Sequence, residues 1–198
     1  MALVFRKKIN SAERGFTMLE MLVVTAIVLI MSGIIIAYIP QFRDRSSLDL
    51  VAQEMALNIR SAQAFASGGR VGGSEDGFID SIPSYGIYMT AGDEPQFFMF
   101  TDEDNSKSYE EGDDADSVFE NYDLQGVYIK EFIVDDENLG DSGTVEITYT
   151  RPSLQANICY NDDCGKNKVE IVLQGRRSDV TRTVGVHNNG QISIYSSQ

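Results

Sequence analysis

The acidic stretch TDEDNSKSYEEGDDAD at residues 101–116 holds the densest set of chemically capable side chains in this chain. Asp102, Asp104, Ser106, Ser108 and Asp113 place oxygen atoms at alternating positions with a late carboxylate. Calcium asks for such a set, since it takes about six to eight oxygen ligands. Lys107 stands where the sharp turn of an EF-hand loop takes glycine. Two readings therefore stand side by side: a solvated acidic loop, and a calcium-ordered loop using Asp102, Asp104 and Asp113. Cys159 and Cys164 are the only cysteines, separated by Tyr-Asn-Asp-Asp. A disulfide across this tight turn is expected, and closing so short a loop contributes only about 2 kcal/mol in the chain-entropy treatment. A zinc site would need a full tetrahedral ligand set. The sole histidine, His187, lies in a separate turn and reads as solvated. No nucleophile stands beside a base, and no carboxylate spacing singles out a glycosidase pair, so a non-enzymatic chain is expected.

Glu20 is the other residue that calls for an explanation. It is the one charge in the apolar run 16–39. As a helix that run rises about 36 Å, enough to cross a hydrocarbon core of about 30 Å. A carboxylate in hydrocarbon is costly and marks a functional position. Arg6, Lys7, Lys8 and Arg14 against Glu13 make the preceding flank basic, which keeps the N-terminus cytoplasmic and sends the rest of the chain outward. A secretory signal peptide has a shorter apolar core of about 7–15 residues before a small-residue cleavage site. A plain signal anchor explains length and orientation but leaves Glu20 without a role.

The run Arg14-Gly15-Phe16-Thr17-Met18-Leu19-Glu20, with its basic leader and long apolar continuation, resembles the prepilin motif of type IV pilins and type II secretion pseudopilins. The resemblance implies that a prepilin peptidase of the bacterial inner membrane cuts between Gly15 and Phe16 and methylates the new Phe16 terminus. Glu20 would become the fifth residue of the mature chain, the place the family gives its assembly glutamate. The implied partners are that peptidase, other pilin or pseudopilin subunits, the assembly platform, and membrane lipid before assembly. The implied location is a single pass with the N-terminus cytoplasmic and the C-terminal domain exported, later in an extracytoplasmic fibre. Disulfides persist in such a compartment. Some pseudopilins order a loop with calcium, the one cofactor the resemblance suggests. In the family the helix-breaking proline commonly falls a few residues earlier, at Ala37 here, whereas this chain has Pro40.

The elements that must carry these residues follow from periodicity. Pro40 and Gly33 are weak points in the apolar helix, and a kink or loosening is expected at 36–40. Beyond Pro40, Leu48, Val51, Met55, Ile59, Ala62 and Ala66 recur on one helical face, with Leu50, Leu57 and Phe65 read as widening it. Gly68-Gly69 ends the helix and 68–83 reads as a loop. Strands are expected at 84–90, 96–101, 126–134, 144–150, 155–160, 168–174, 180–186 and 191–195, the last two joined by an Asn188-Asn189-Gly190 hairpin. The fold class is α+β, one long N-terminal helix packed on an antiparallel β domain. The expected organisation is a leader at 1–15, a membrane segment at 16–39, its amphipathic continuation at 40–68 and a β-rich domain at 69–198. This order resembles the H-type minor pseudopilins and related minor pilins. Removing residues 1–15 takes away four basic residues and one acidic one, moving the net charge from −14 to −17. So acidic a chain argues against nucleic acid as a partner, because phosphate neutralisation needs Lys and Arg. The rival is a membrane-anchored exported binding domain or enzyme that never enters a fibre.

Overall fold

The computed structural model describes residues 15–68, 83–92, 95–110, 116–151, 153, 155–176 and 179–196. Asp113 lies outside them, as do most of the expected leader and most of the expected loop. The chain divides into two compact units, Met1–Pro40 and Gln41–Gln198. Helix α1 (Met18–Gly68) runs through that division, and Pro40 does not end it.

In the first unit α1 opens on a side-chain cap. The Thr17 hydroxyl accepts the Glu20 amide at 3.2 Å, and the Thr17 carbonyl accepts the Met21 amide at 3.2 Å. Thr17 is thus the N-cap and Glu20 the third helical residue, where a carboxylate also meets the positive end of the helix dipole. Beyond the cap the apolar side chains of this unit are exposed along the described run. The helix is long and apolar enough to cross a membrane.

In the second unit Leu48, Val51, Met55, Ile59, Ala62 and Ala66 are buried, as the spacing predicts, and Ala52 and Ala56, which it does not name, are buried beside them. Phe65 packs partly buried against the same core. Leu50 and Leu57 do not widen the stripe: they are 54% and 57% exposed. The reason is angular. At about 100° per residue both fall on the face opposite Leu48 and Met55. The helix ends against Arg151, whose guanidinium donates to the Ala66 carbonyl at 2.9 Å and the Ser67 carbonyl at 2.6 Å. A cation on the last carbonyls satisfies acceptors the helix leaves open. Arg182 donates to Asp49 at 2.5 Å and fixes the helix against the β domain a second time.

Two antiparallel sheets complete the unit. The first has the order β3 (Asp116–Asn121), β2 (Phe97–Asp102), β1 (Ser84–Ala91), β6 (Gly143–Tyr149), β7 (Ala156–Tyr160), β8 (Asp163–Lys166). The second has the order β11 (Ile192–Tyr195), β10 (Thr181–His187), β9 (Lys168–Gly175), β4 (Val127–Val134), β5 (Glu137–Asn138). Alternation supplies the core: Tyr85, Ile87 and Met89 from β1, Val145, Ile147 and Tyr149 from β6, Val169, Ile171 and Leu173 from β9. In β4 the buried set shifts phase, from Val127 and Ile129 to Phe132 and Val134. A bulge between Ile129 and Glu131 absorbs the extra residue.

All eight expected strands are present, and the described residues hold three more that periodicity does not predict. β3 is exposed along most of its length and has no clean alternation. β5 and β8 exist because tight turns create them. Asp135 and Asp136 (φ 50° and 68°) reverse the chain between β4 and β5, and Asn161 and Asp162 (φ 46° and 66°) do so between β7 and β8. Consecutive positive φ values are the mark of two-residue hairpin turns, which Asn and Asp tolerate best after glycine.

Candidate functional site

At the N-terminus the residues the sequence singles out share one short stretch. Gly15 and Phe16 precede the Thr17 cap in non-helical backbone, and Phe16 is 76% exposed. The expected cleavage bond therefore stands clear of α1. Glu20 sits in the first turn among exposed apolar side chains. Contiguous apolar surface on this scale marks a lipid or protein contact.

The acidic site is built by the edge of the first sheet. Asp102 ends β2 and Asp116 begins β3, and the two face each other directly in the β2–β3 register. Like charges opposite each other in a ladder repel. Asp104 joins them, so that Asp102, Asp104 and Asp116 each bring a carboxylate oxygen within 4.8 Å of the others. The connecting loop wraps its own amides around this charge. Asp102 is buried and accepts the amides of Ser106 (3.1 Å) and Lys107 (3.0 Å), while Asp104 accepts the Ser106 amide at 2.9 Å. Burial, the Asp104 contact and the Asp116 charge push the Asp102 carboxyl up to about 6, against the pull of the Lys107 amide. The Ser106 amide and the Asp102 contact hold Asp104 below its ordinary value.

The structure thus brings Asp102 and Asp104 together, with Asp116 as the third member of the cluster. The expected Asp113 lies outside the described residues. The Ser106 hydroxyl donates to the Ser108 carbonyl at 3.0 Å, and its side chain also reaches Asp104 and helps to hold that carboxyl low. Lys107 adopts φ 73° and Asn105 φ 60°, so the chain makes its left-handed turns without glycine.

From this cluster residues 103–110 cross the outer face of the first sheet. The Ser84 hydroxyl donates to Asn105 at 2.5 Å, and the Thr148 hydroxyl donates to the Lys107 carbonyl at 3.3 Å. The Tyr109 ring rests on Phe98, Tyr88 and Phe100, with centroids 5.0, 5.4 and 5.4 Å away. This cover explains why the FFMF run is buried on both faces. Glu146 lies on the same face of β6, opposite Tyr88 on β1 and Cys159 on β7. Burial, with the charges of Asp162 and Asp116, raises its carboxyl to about 7, against a hydrogen bond from the Tyr109 amide. Asp116, Tyr109 and Glu146 are not legible as neighbours in the sequence, because the strand registers and the 103–110 crossing bring them to one face.

Cys159 and Cys164 are register partners across the β7–β8 hairpin, with sulfurs at 2.03 Å. His187 closes β10, partly buried, its amide donating to the Gln191 carbonyl at 3.0 Å.

Against known proteins, one family model matches: the prokaryotic N-terminal methylation motif, over residues 10–36. No curated protein and no solved structure matches the chain.

Proposed function

At its N-terminus this chain is type IV prepilin-like, and on that premise we propose that it is a structural subunit, a minor pilin or H-type pseudopilin, of a type IV pilus or type II secretion filament. The observation that carries the reading is the methylation motif at 10–36, laid over a capped apolar helix with Glu20 in its first turn. In this reading a prepilin peptidase removes residues 1–15 and methylates Phe16. The apolar half of α1 holds the product in the bacterial inner membrane with the β domain exported. An assembly platform then draws it into a fibre beside other pilin or pseudopilin subunits. Glu20 accepts the Phe16 ammonium of a neighbour, a charge-assisted pair that shares the desolvation cost and sets axial register. The role contains no catalytic step. Intact-mass measurement of the membrane form is expected to show loss of residues 1–15 and gain of one methyl group. A retained leader would return the chain to the class of anchored exported domains that never enter a fibre.

We also propose that the three-carboxylate cluster takes calcium. Its donors suit a hard cation, since all are carboxylate oxygens and a positive charge would offset the repulsion gathered on Asp102. Asp102, Asp104 and Asp116 would hold the ion and tie the 103–110 crossing to the β2–β3 edge. Millimolar calcium is expected to raise the melting temperature of the full chain in detergent, a chelator to reverse it, and Asp104→Ala to abolish the response. Identical melting with and without calcium would leave the crossing held by its own amides.

A further inference from the structure

We propose that residues 103–110 form a pH-sensitive strap over the outer face of the first sheet, latched while Glu146 is protonated and released when Glu146 ionises. The geometry sets up the conflict. Glu146 is only 5% exposed, and its Oε2 is shielded from solvent with no hydrogen-bond partner among the described residues. The carboxyl meets the strap itself through the Tyr109 amide. In register it stands in a cross-strand row of Cys159, Glu146, Tyr88 and Phe98, so its flanks are a bonded sulfur and an aromatic ring.

Among the described residues, the groups that face it from the surrounding elements offer no compensating positive charge. From β1 comes Tyr88, and from β7 the disulfide-bonded Cys159. From the strap come the Tyr109 amide and ring, with Lys107 engaged through its carbonyl to Thr148. The charges that reach it are Asp162, in the β7–β8 turn, and Asp116 on β3, both negative. A neutral carboxyl fits this site, because Oε2 can carry the proton. A carboxylate does not: it would be a buried anion with one bare oxygen beside two other anions.

Lifting the strap lets water reach that oxygen, so the released state favours the ionised form and the latched state the protonated form. The sign follows. The latched carboxyl titrates at about 7, above the ordinary value of 4.5. Between those two values the latched state binds more protons than the released one, and its advantage falls as pH rises, levelling off above about 7. Release would uncover the row of Tyr88, Phe98 and Phe100 now beneath Tyr109.

The test is hydrogen–deuterium exchange on the full chain in detergent, with chelator present and rates corrected for intrinsic pH dependence. Protection of the 103–110 amides in wild type is expected to fall about tenfold or more between pH 5 and pH 8, on the tenfold-per-unit scale of proton linkage. The core strand 168–175 should stay protected, reporting that the domain remains folded. Glu146→Gln, neutral at every pH, is expected to keep the strap protected at pH 8. Tyr109→Ala is expected to leave it unprotected at both. Strap protection that does not change with pH in wild type would overturn the proposal without any variant. An equal loss in Glu146→Gln would overturn it too, assigning the change to Asp102.

Discussion

Gly86 decides how closely the aromatic layer can lie on the first sheet. A Cβ built there would collide with the Phe100 ring and come within 2.8 Å of Thr148 Cγ2. The ring can rest over β1 only because position 86 has no side chain. Gly86→Ala is therefore expected to destabilise the domain by about 1–3 kcal/mol, read as a lower melting temperature, since the ring must leave its place. Unchanged melting would mean that Phe100 moves aside at no cost. At this scale the site was half legible in the sequence. Asp102 and Asp104 announce themselves by spacing. Asp116 does not, because its part comes from facing Asp102 across a ladder that an irregular, exposed β3 gives no reason to expect. Glu146 was hidden for a related reason: alternation along β6 points it away from the core, which reads as solvent until Tyr109 is placed above it.

At the scale of elements, the exposed pair Leu50 and Leu57 carries the clearest consequence. They stand two turns apart on the face of α1 that turns from the domain's own core. In a fibre subunit that face is available to a neighbour. Leu57→Asp is expected to lower recovery in sheared fibres several-fold while leaving the melting temperature within about 0.5 kcal/mol of stability, the usual range for exposed positions. Equal recovery would remove this face from the assembly contact. The sequence misplaced these leucines because apolar type was allowed to stand for apolar face, whereas helical angle separates the two. The main strands were legible from period-two patterning because one face of each is buried. The short β5 and β8 were not, since turn geometry creates them and two to four residues carry no period.

For the whole molecule, the governing prediction concerns Glu20. A lone carboxylate in the first turn of a membrane helix is tolerable near the interface and is already placed at the favourable end of the helix dipole. In the proposed fibre core it would lose water and need a cation, which symmetry would offer as the Phe16 ammonium of the next copy. Glu20→Leu removes the desolvation cost, so insertion should match wild type. Cleavage after Gly15 should persist, because that bond lies outside α1. Fibre incorporation relative to membrane content is expected to fall, since the neighbour's ammonium is left unpaired. An unchanged ratio with correctly formed Phe16 would show that Glu20 is no assembly contact in this chain.

The seating of α1 in the β domain also governs how the domain bears load. In the assembly proposed above, extraction from the membrane would pull on this chain through its helix. From Leu48 to Ala66 the buried stripe lies along the direction of a pull applied down the helix axis, and Asp49–Arg182 and the Arg151 cap hold the same span near its two ends. A pull along that axis shears the whole stripe at once, and no single contact is peeled before the next. Under such a pull the second half of α1 acts as a splint rather than a tether, passing tension into both sheets without first unravelling the β domain.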